Sequence, residues 1–395
     1  MRDNNYHSNY SSNFSYSNYN PSSNSSINKI YNNSDFFGSS NFNNKLTSNN
    51  SYGSFYQNDK YKYQDYRENY LLNDTKFGGI INYGKNCYLN SGLQILISCD
   101  EFVNELKRNN DGRNETNLVN LTKEAINTLM IGQKYDPAKF ISLFGTKNRD
   151  FDGVQNCSQN FIRTLIKNLN DELVNYPYTN IIRENIHFKP RTNGEYSKYI
   201  DFIKSNSIYP ESNLLSIFSG ITESHSSCIC RYCHKTIDEY SFNYFIDQSI
   251  YLDEINYRCN FRDVLDKNFE NNKLTMDCPQ CRKEINMDEV TKIIKLPEIL
   301  IFTLERYQGT NNEVEIEPDP IIDMSRYVDI NCFKGTKYKL FAINIRFGKT
   351  KNFGHEICQV ERNGRWYEFN DEKVYERKTT YNKNSYGLFY KRSPY

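Results

Sequence analysis

The sequence predicts an α+β fold in which helices come first and strands follow. Three observations predict it. Apolar residues recur at helical spacing early in the patterned region, as in Leu89, Leu93, Leu96 and Ile97. After Leu214, short runs rich in β-branched and aromatic residues take over. Between two of these runs stands Asn363-Gly364, a pair suited to a two-residue hairpin turn. Helices and strands segregated along one chain are the α+β pattern.

The elements follow in order. From Met1 to about Lys60 the chain is dominated by Asn, Ser and Tyr, and aliphatic residues are almost absent. Such a segment cannot bury enough apolar surface to offset its ordering entropy, so residues 1–70 are read as a disordered tail. Order is expected to begin near Tyr70. Phe77-Gly-Gly-Ile-Ile-Asn-Tyr-Gly84 is a glycine-punctuated loop, and a helix is expected from about Cys87 to Lys107. Further helical patterns cover Leu118 to Met130, Pro137 to Phe144 and Asn160 to Val174. The polar stretch from His187 to Ile200 reads as a loop. Strands are expected at Tyr240–Phe245, Ile293–Lys295, Ile299–Leu304, Lys339–Phe347, Glu356–Arg362, Arg365–Phe369 and Tyr386–Tyr390.

Composition excludes several function classes. Lys and Arg number 49 against 48 Asp and Glu, a net charge of +1. That balance gives no reason to expect nucleic acid or an anionic membrane as partner. No apolar run approaches the roughly 20 residues of a membrane-spanning helix. Met1 to Tyr10 is polar and lacks the apolar core of a secretory signal. The 11 cysteines are an odd number and include two Cys-x-x-Cys pairs. A reducing compartment, cytoplasmic or nuclear, is therefore expected, with some thiols binding metal or doing chemistry.

Cys87 is the candidate nucleophile. A helix starting at the cysteine offers its N-terminal N–H groups and dipole to a thiolate. Gly84 permits a tight turn beside it, and the Asn82 amide is placed to donate to an oxyanion. The competing reading of Cys87 is a buried structural thiol. A thiol nucleophile needs an imidazole, and only five histidines are present. His7 lies in the tail, His187 in the polar loop, and His225 and His234 flank a cysteine cluster. His355 remains, at the start of a strand leading into the Asn363-Gly364 hairpin. The returning strand delivers Asn370 and Asp371 near His355, where either can orient the imidazole.

Cys230-Arg-Tyr-Cys233 and Cys278-Pro-Gln-Cys281 are knuckle-like pairs. Four thiolates at this spacing make a closed, tetrahedral structural zinc site. The gap between the pairs requires strands to run out and return. Cys228 can replace Cys230 or be a spare thiol.

These residues, taken together, resemble the ubiquitin-specific proteases. Gly79-Ile-Ile-Asn-Tyr-Gly-Lys-Asn-Cys-Tyr-Leu-Asn-Ser91 is similar to that family's cysteine box. Gln155-Asn-Cys-Ser-Gln-Asn-Phe-Ile162 is similar to its QQDAQEFL element, and Leu296-Pro-Glu-Ile-Leu-Ile-Phe-Thr-Leu-Glu-Arg306 to its LPxxLxxxLKR strand. Tyr338-Lys-Leu-Phe-Ala-Ile343, Gly354-His355, Trp366-Tyr-Glu-Phe-Asn-Asp371 and Tyr386-Gly-Leu-Phe-Tyr390 resemble the histidine box and closing strand. The resemblance covers about Phe77 to the C-terminus. It implies a papain-like cysteine protease core across 77–395, with a helical thumb (77–213), zinc-tipped fingers (214–300) and a palm of antiparallel strands (301–395). It implies a thiol-dependent deubiquitinase that cleaves after the C-terminal glycine of ubiquitin. Cys87 would be nucleophile, His355 base, Asn370 the orienting residue with Asp371 sharing that task, and Asn82 an oxyanion donor. Zinc would be structural, held by Cys230, Cys233, Cys278 and Cys281. Ubiquitin and ubiquitinated proteins would be the partners of a monomer.

The departures are also informative. Where the family has an acidic pair facing basic side chains of the ubiquitin tail, this sequence has Cys157 and Asn160. Well-formed charge-assisted contacts of that kind contribute about 1.5–3 kcal/mol each. Glu356 replaces the tyrosine after the histidine and is a candidate substitute charge, and Arg346 replaces another histidine. Altered tail recognition with retained chemistry is the expectation. The competing readings are a catalytically silent ubiquitin-binding module, a protease for another ubiquitin-like modifier, and a zinc-ribbon nucleic-acid binder. The last leaves the Cys87 and His355 segments unexplained.

Overall fold

A computed structural model describes residues 77–108, 117–174, 189–206, 211–252, 255, 258–307, 313–329, 335–350, 353–377 and 384–393. The expected tail at 1–70, His7 and His187 lie outside the described residues, as does the start of order expected near Tyr70.

The first half is helical: α1 (Cys87–Ile97), α2 (Asp100–Arg108), α3 (Leu118–Met130), α4 (Ala138–Lys147), α5 (Ser158–Val174), α6 (Asn193–Asn206) and α7 (Asn213–Phe218). The single helix expected over Cys87 to Lys107 is broken into α1 and α2. Ser98 explains the break, because its hydroxyl donates to Gln94 O at 2.7 Å and competes with the helical ladder there. Asp100 and Glu101 then favour a fresh helix start.

The loop expected over His187 to Ile200 is instead occupied from Asn193 onward by α6. Thr192 and Glu195 form a reciprocal cap: the Glu195 N–H donates to Thr192 Oγ1 at 3.1 Å, and Glu195 accepts from the Thr192 N–H at 3.3 Å. One face of α6 carries Tyr199, Phe202 and Ile203 onto Phe242 and Tyr244. The Thr-x-x-Glu spacing was present in the sequence; the apolar partners that make the helix worthwhile come from a distant strand.

The second half is β1 (Gly220–Ile229), β2 (Thr236–Phe245), β3 (Asp247–Tyr251), β4 (Cys259–Asn260), α8 (Phe261–Asn268), β5 (Asn272–Asp277), β6 (Glu284–Lys295), β7 (Ile299–Glu305), β8 (Ile316–Glu317), β9 (Ile321–Asp323), β10 (Lys337–Thr350), β11 (Phe353–Arg362), β12 (Arg365–Asn370), β13 (Lys373–Arg377) and β14 (Ser385–Arg392). Every expected strand is present. β1, β3, β4, β5, β8, β9 and β13 were not anticipated, being polar or short.

The strands form two main sheets. One has the order β2-β1-β6-β5. The other runs β13-β12-β11-β10-β14-β7-β3, with β9 added beside β10. Within 214–300, β3 and α8 belong with the larger sheet rather than the four-stranded one. The larger sheet also departs from pure antiparallel pairing, because β3 lies parallel to β7. The hairpin at Asn363-Gly364 forms with φ of 53° and 76°, the left-handed values a type I′ turn requires.

Both faces of the larger sheet are buried. Ile299, Ile301, Ala342, Val360 and Phe389 point into the core shared with the helices. Leu300, Phe302, Leu304, Ile343 and Leu388 point to a second core closed by α8. Side chains alternate with period two, so a strand buried on both faces reads as an unbroken apolar run, as Ile299–Leu304 does. α1 lies against β11 and α5. Gly92 permits that approach, since a Cβ there would meet the Phe161 ring at 2.6 Å.

Two buried carboxylates sharing one half-exposed arginine tie α6 to the smaller sheet. Arg191 Nη2 lies 2.8 Å from Glu195 and 2.6 Å from Glu223. Burial, then the Glu195 carboxylate, pushes Glu223 up to about 7. The folded chain thus retains a proton that the unfolded chain releases near pH 4.5. That contribution is present at acid pH and lost as pH rises through about 7. The urea midpoint is expected to fall between about pH 5 and pH 7.5, and Glu223→Gln, which keeps a donor without the ionisation, is expected to flatten that fall. Parallel slopes in the two proteins would remove Glu223 from the account.

Candidate active site

Cys87 occupies the first position of α1 and is 4% exposed. The loop before it is held by asparagine side chains. Asn86 accepts from the Tyr83 N–H at 2.6 Å and donates to Ile81 O and Asn90 Oδ1. Asn82 Oδ1 accepts from the Gly84 N–H at 2.7 Å, and Gly84 has φ of +99°, a conformation glycine adopts without strain. These bonds fold the chain back so that the helix can begin at the cysteine.

His355 lies on β11 and Asn370 at the end of β12. His355 Nε2 is 2.8 Å from Asn370 Oδ1. An amide oxygen only accepts, so Nε2 carries the proton and Nδ1 is left as the basic nitrogen. Asp371 lies farther off, with its Oδ2 4.0 Å from Nε2. Its carboxylate instead accepts from Asn82 Nδ2 at 2.7 Å and from Asn90 Nδ2 at 2.8 Å. Its carbonyl accepts from the Ile80 N–H at 2.9 Å. Asp371 therefore ties the loop before the nucleophile to the strand pair bearing His355.

The helix bearing the thiol packs on the same strand. The backbone N–H of Glu356, the residue after His355, favours the Cys87 thiolate. Burial pushes the Cys87 thiol up to about 12, partly offset by that N–H and reinforced by the Glu356 and Asp371 carboxylates. Near neutral pH the free side chain is thus a thiol, and its ionisation depends on a nearby base.

The expected substitute charge at Glu356 is not available to a substrate. Glu356 is 1% exposed and paired with Arg346, itself 3% exposed. Asn160 brings no charge of its own: it donates to Asn156 at 3.2 Å and accepts from Arg163 at 3.1 Å. Arg163 is in turn engaged by Asp247 through two 2.7 Å contacts. Sequence reasoning missed Asn86, Asn90, Ser158 and Asn344, whose amides and hydroxyls join α1, α5 and the sheet. For Asn86 and Asn90 the signal was the run of Asn and Ser around Cys87; Ser158 and Asn344 had no local signal.

The paired cysteines converge elsewhere. The turns joining β1 to β2 and β5 to β6 lie at one end of the smaller sheet. The sulfurs of Cys230, Cys233, Cys278 and Cys281 all lie within 4.8 Å of one another. Each turn repeats the same backbone device: the His234 N–H bonds to Cys230 O, the Arg282 N–H bonds to Cys278 O, both at 2.8 Å, and both donors have positive φ. Four cysteines so disposed can hold a metal ion. Cys228 packs beside the group without belonging to it. His225 stacks on Tyr240 with centroids 4.3 Å apart and is not in the group, nor is His234.

The ubiquitin carboxyl-terminal hydrolase family model matches residues 78–390. The chain belongs to that family. A probable ubiquitin carboxyl-terminal hydrolase of Schizosaccharomyces pombe is 24% identical over 362 residues, covering 80% of this chain and 58% of the relative. One from Acanthamoeba polyphaga mimivirus is 30% identical over 199 residues, covering 46% and 42%. Ubiquitin carboxyl-terminal hydrolase 23 of Arabidopsis thaliana is 25% identical over 198 residues, covering 48% of this chain and 22% of the relative. The chain thus spans less than two thirds of these relatives' lengths. Among solved structures, a chain of the SAGA DUB module bound to ubiquitin aldehyde superposes with a TM-score of 0.60 at 19% identity, over 80% of this chain and 70% of that one. The family's mixed helix-and-sheet fold is therefore this chain's fold. Among the described residues, no helix is long and apolar enough to cross a membrane.

The raised Cys87 thiol makes a direct prediction. Near neutral pH, iodoacetamide is expected to alkylate Cys87 in the unaltered protein. In His355→Ala the rate is expected to fall at least tenfold and recover only as pH climbs toward the thiol's own value. Equal neutral-pH rates in the two proteins would disqualify His355 as the base.

Proposed function

We propose that this chain is a deubiquitinase, hydrolysing the peptide or isopeptide bond after the C-terminal glycine of ubiquitin. The observation that carries the reading is that His355 Nε2 lies 2.8 Å from Asn370 Oδ1 while the adjacent Asp371 binds Asn82 and Asn90 on either side of Cys87. Membership of the hydrolase family supports it.

In this reading His355 Nδ1 takes the Cys87 proton as Sγ attacks the glycine carbonyl. Developing negative charge on oxygen meets the Cys87 N–H, which has no intrahelical acceptor, and the second hydrogen of the Asn82 amide. His355 then gives its proton to the departing amine, leaving an acyl-enzyme. Water attacks the acyl carbon, His355 takes its proton, and the thiol leaves with that proton. Asn370 holds the ring, and Asp371 acts one step back, through Asn82 and Asn90. Cys87 and Asn82 lie in the helical thumb, and His355, Asn370 and Asp371 in the palm. The four-stranded sheet forms fingers that grip the folded body of ubiquitin.

The residues at the finger tip fit zinc. Two sulfur–sulfur distances are 3.6 and 3.8 Å, close to the roughly 3.8 Å that tetrahedral zinc–thiolate bonds impose. Zinc would supply a structural cross-link between the two hairpin turns. Cys230, Cys233, Cys278 and Cys281 would hold it, with no part in the chemistry.

Two experiments test these readings. Ubiquitin bearing a C-terminal electrophile is expected to form a covalent adduct with the protein, and Cys87→Ala is expected to form none. Binding without an adduct would instead mark a silent ubiquitin-binding module. Separately, zinc chelation or Cys278→Ser is expected to lower the melting temperature and raise KM for a ubiquitin substrate at least tenfold. Neutral-pH alkylation of Cys87 should stay within about twofold. Unchanged KM after verified metal loss would detach the fingers from ubiquitin binding.

A further inference from the structure

The charged pair beside the base is built in a way that the reaction steps above do not use. Arg346 on β10 and Glu356 on β11 are direct cross-strand partners. Both are nearly inaccessible, and a charge removed from water needs full compensation. Glu356 receives it from three directions. One carboxylate oxygen takes Arg346 Nη1. The other takes the Ser158 N–H at 3.0 Å and the Ser158 hydroxyl. Ser158 is the first residue of the 17-residue α5, where the helix dipole also favours an anion. The Tyr307 and Tyr386 rings both lie beside Arg346, at 5.4 and 5.8 Å from its guanidinium carbon.

Ser158 is a junction in its own right. Its hydroxyl lies 2.9 Å from Tyr88 O, in the first turn of α1, and 3.2 Å from Asn344 Nδ2. The Asn344 amide also donates to Ser91 Oγ on α1 at 2.9 Å. One residue before His355, Gly354 O accepts from Gln155, in the segment leading into α5. The base is therefore flanked in sequence by two contacts to the start of α5, one at Gly354 and one at Glu356. Through Ser158 and the Asn344 amide, the second of these reaches Ser91 on the helix that carries the candidate nucleophile.

We propose that Glu356 is a positioning residue that sets the Cys87–His355 separation by clamping α5 and the nucleophile helix to the base strand. The proposal rests on Cys87 and His355 being the reactive pair. The clamp acts on the residue that follows His355 in β11. A displacement of α1 against β11 would therefore change the thiol–imidazole distance. Arg346 has the complementary task of pairing the buried carboxylate. A neutral amide of similar size has one acceptor oxygen, so it can satisfy Ser158 or Arg346 but not both. The geometry requires an acceptor on each side.

The test uses the full chain and two readouts. Turnover of a fluorogenic ubiquitin amide by the unaltered protein checks the functional reading. Iodoacetamide alkylation of Cys87 near neutral pH reads the pair's geometry without ubiquitin. Glu356→Gln is expected to lose at least tenfold in kcat and in alkylation rate, with KM within about twofold. Glu356→Asp should recover part of both losses. A merely structural role would lower the melting temperature without this split. Unaltered kcat and alkylation in folded Glu356→Gln would overturn the proposal. If that variant fails to fold, Ser158→Ala decides: it keeps both charges and removes the hydroxyl link. It is expected to slow alkylation several-fold, and an unchanged rate would likewise overturn the clamp. Absence of ubiquitin turnover in the unaltered protein, with alkylation still sensitive to Glu356, would fault the functional reading alone.

Discussion

The structure depends on the grip of the Asp371 carboxylate on the Asn82 and Asn90 amides. The candidate nucleophile belongs to a helix near the start of the described chain, and the candidate base belongs to a late hairpin. Nothing in either element alone brings them together. Asp371 sits in a left-handed turn with φ of 53°, which lets its side chain and its carbonyl both face the loop before α1. Asp and Asn tolerate this conformation better than most residues, because a short polar side chain can bond locally. A carboxylate with two amide donors at normal distances is well compensated where it lies.

Apolar contact between the halves would not suffice to fix that geometry. Hydrophobic burial is non-directional, and a helix lying on a sheet can slide at modest cost. The interface between α1 and the sheet therefore carries directional bonds at both ends of the helix. At the cysteine end are the asparagines, Ser158 and Asn344. At the far end Arg362, on β11, donates to Gln94 O at 3.1 Å, Gln94 Oε1 at 2.8 Å and Ser98 Oγ at 2.9 Å. Its guanidinium also stacks on Phe77 and Phe369. Polar groups withdrawn from water in this way are costly if mispaired, so they select one register.

The smaller sheet is organised on a different principle. Its tip has a small core of Ile237, Ile285, Met287 and cysteines. Such a cluster buries little surface, and a long two-hairpin projection needs some other constraint at its end. The convergence of four sulfurs supplies a place for one. The base of the same sheet is secured by α6 and by the carboxylates gathered on Arg191. The division of labour is physical: the deep cores hold the candidate reactive pair, and the Arg191 cluster and the four converging cysteines lie at the two ends of the projecting strands.

By itself the sequence determined the α+β order of elements, the doubly buried strand at Ile299, the Asn363-Gly364 hairpin and the short list of chemistry-bearing residues. Each of these is a local property, set by periodicity, turn chemistry or the scarcity of histidine. Only the tertiary structure decided what depends on partners far away in the chain. The break between α1 and α2 follows from where Ser98 finds its bond. The helix at Asn193 forms because Phe242 and Tyr244 offer it a surface. Glu356 read as an exposed charge for a substrate until Arg346 and Ser158 enclosed it. Asp371 read as a second partner for the imidazole, yet its nearest donors are amides of another element. A side chain's identity fixes what it can bond to, and the packed fold alone fixes which of those partners is within 3 Å.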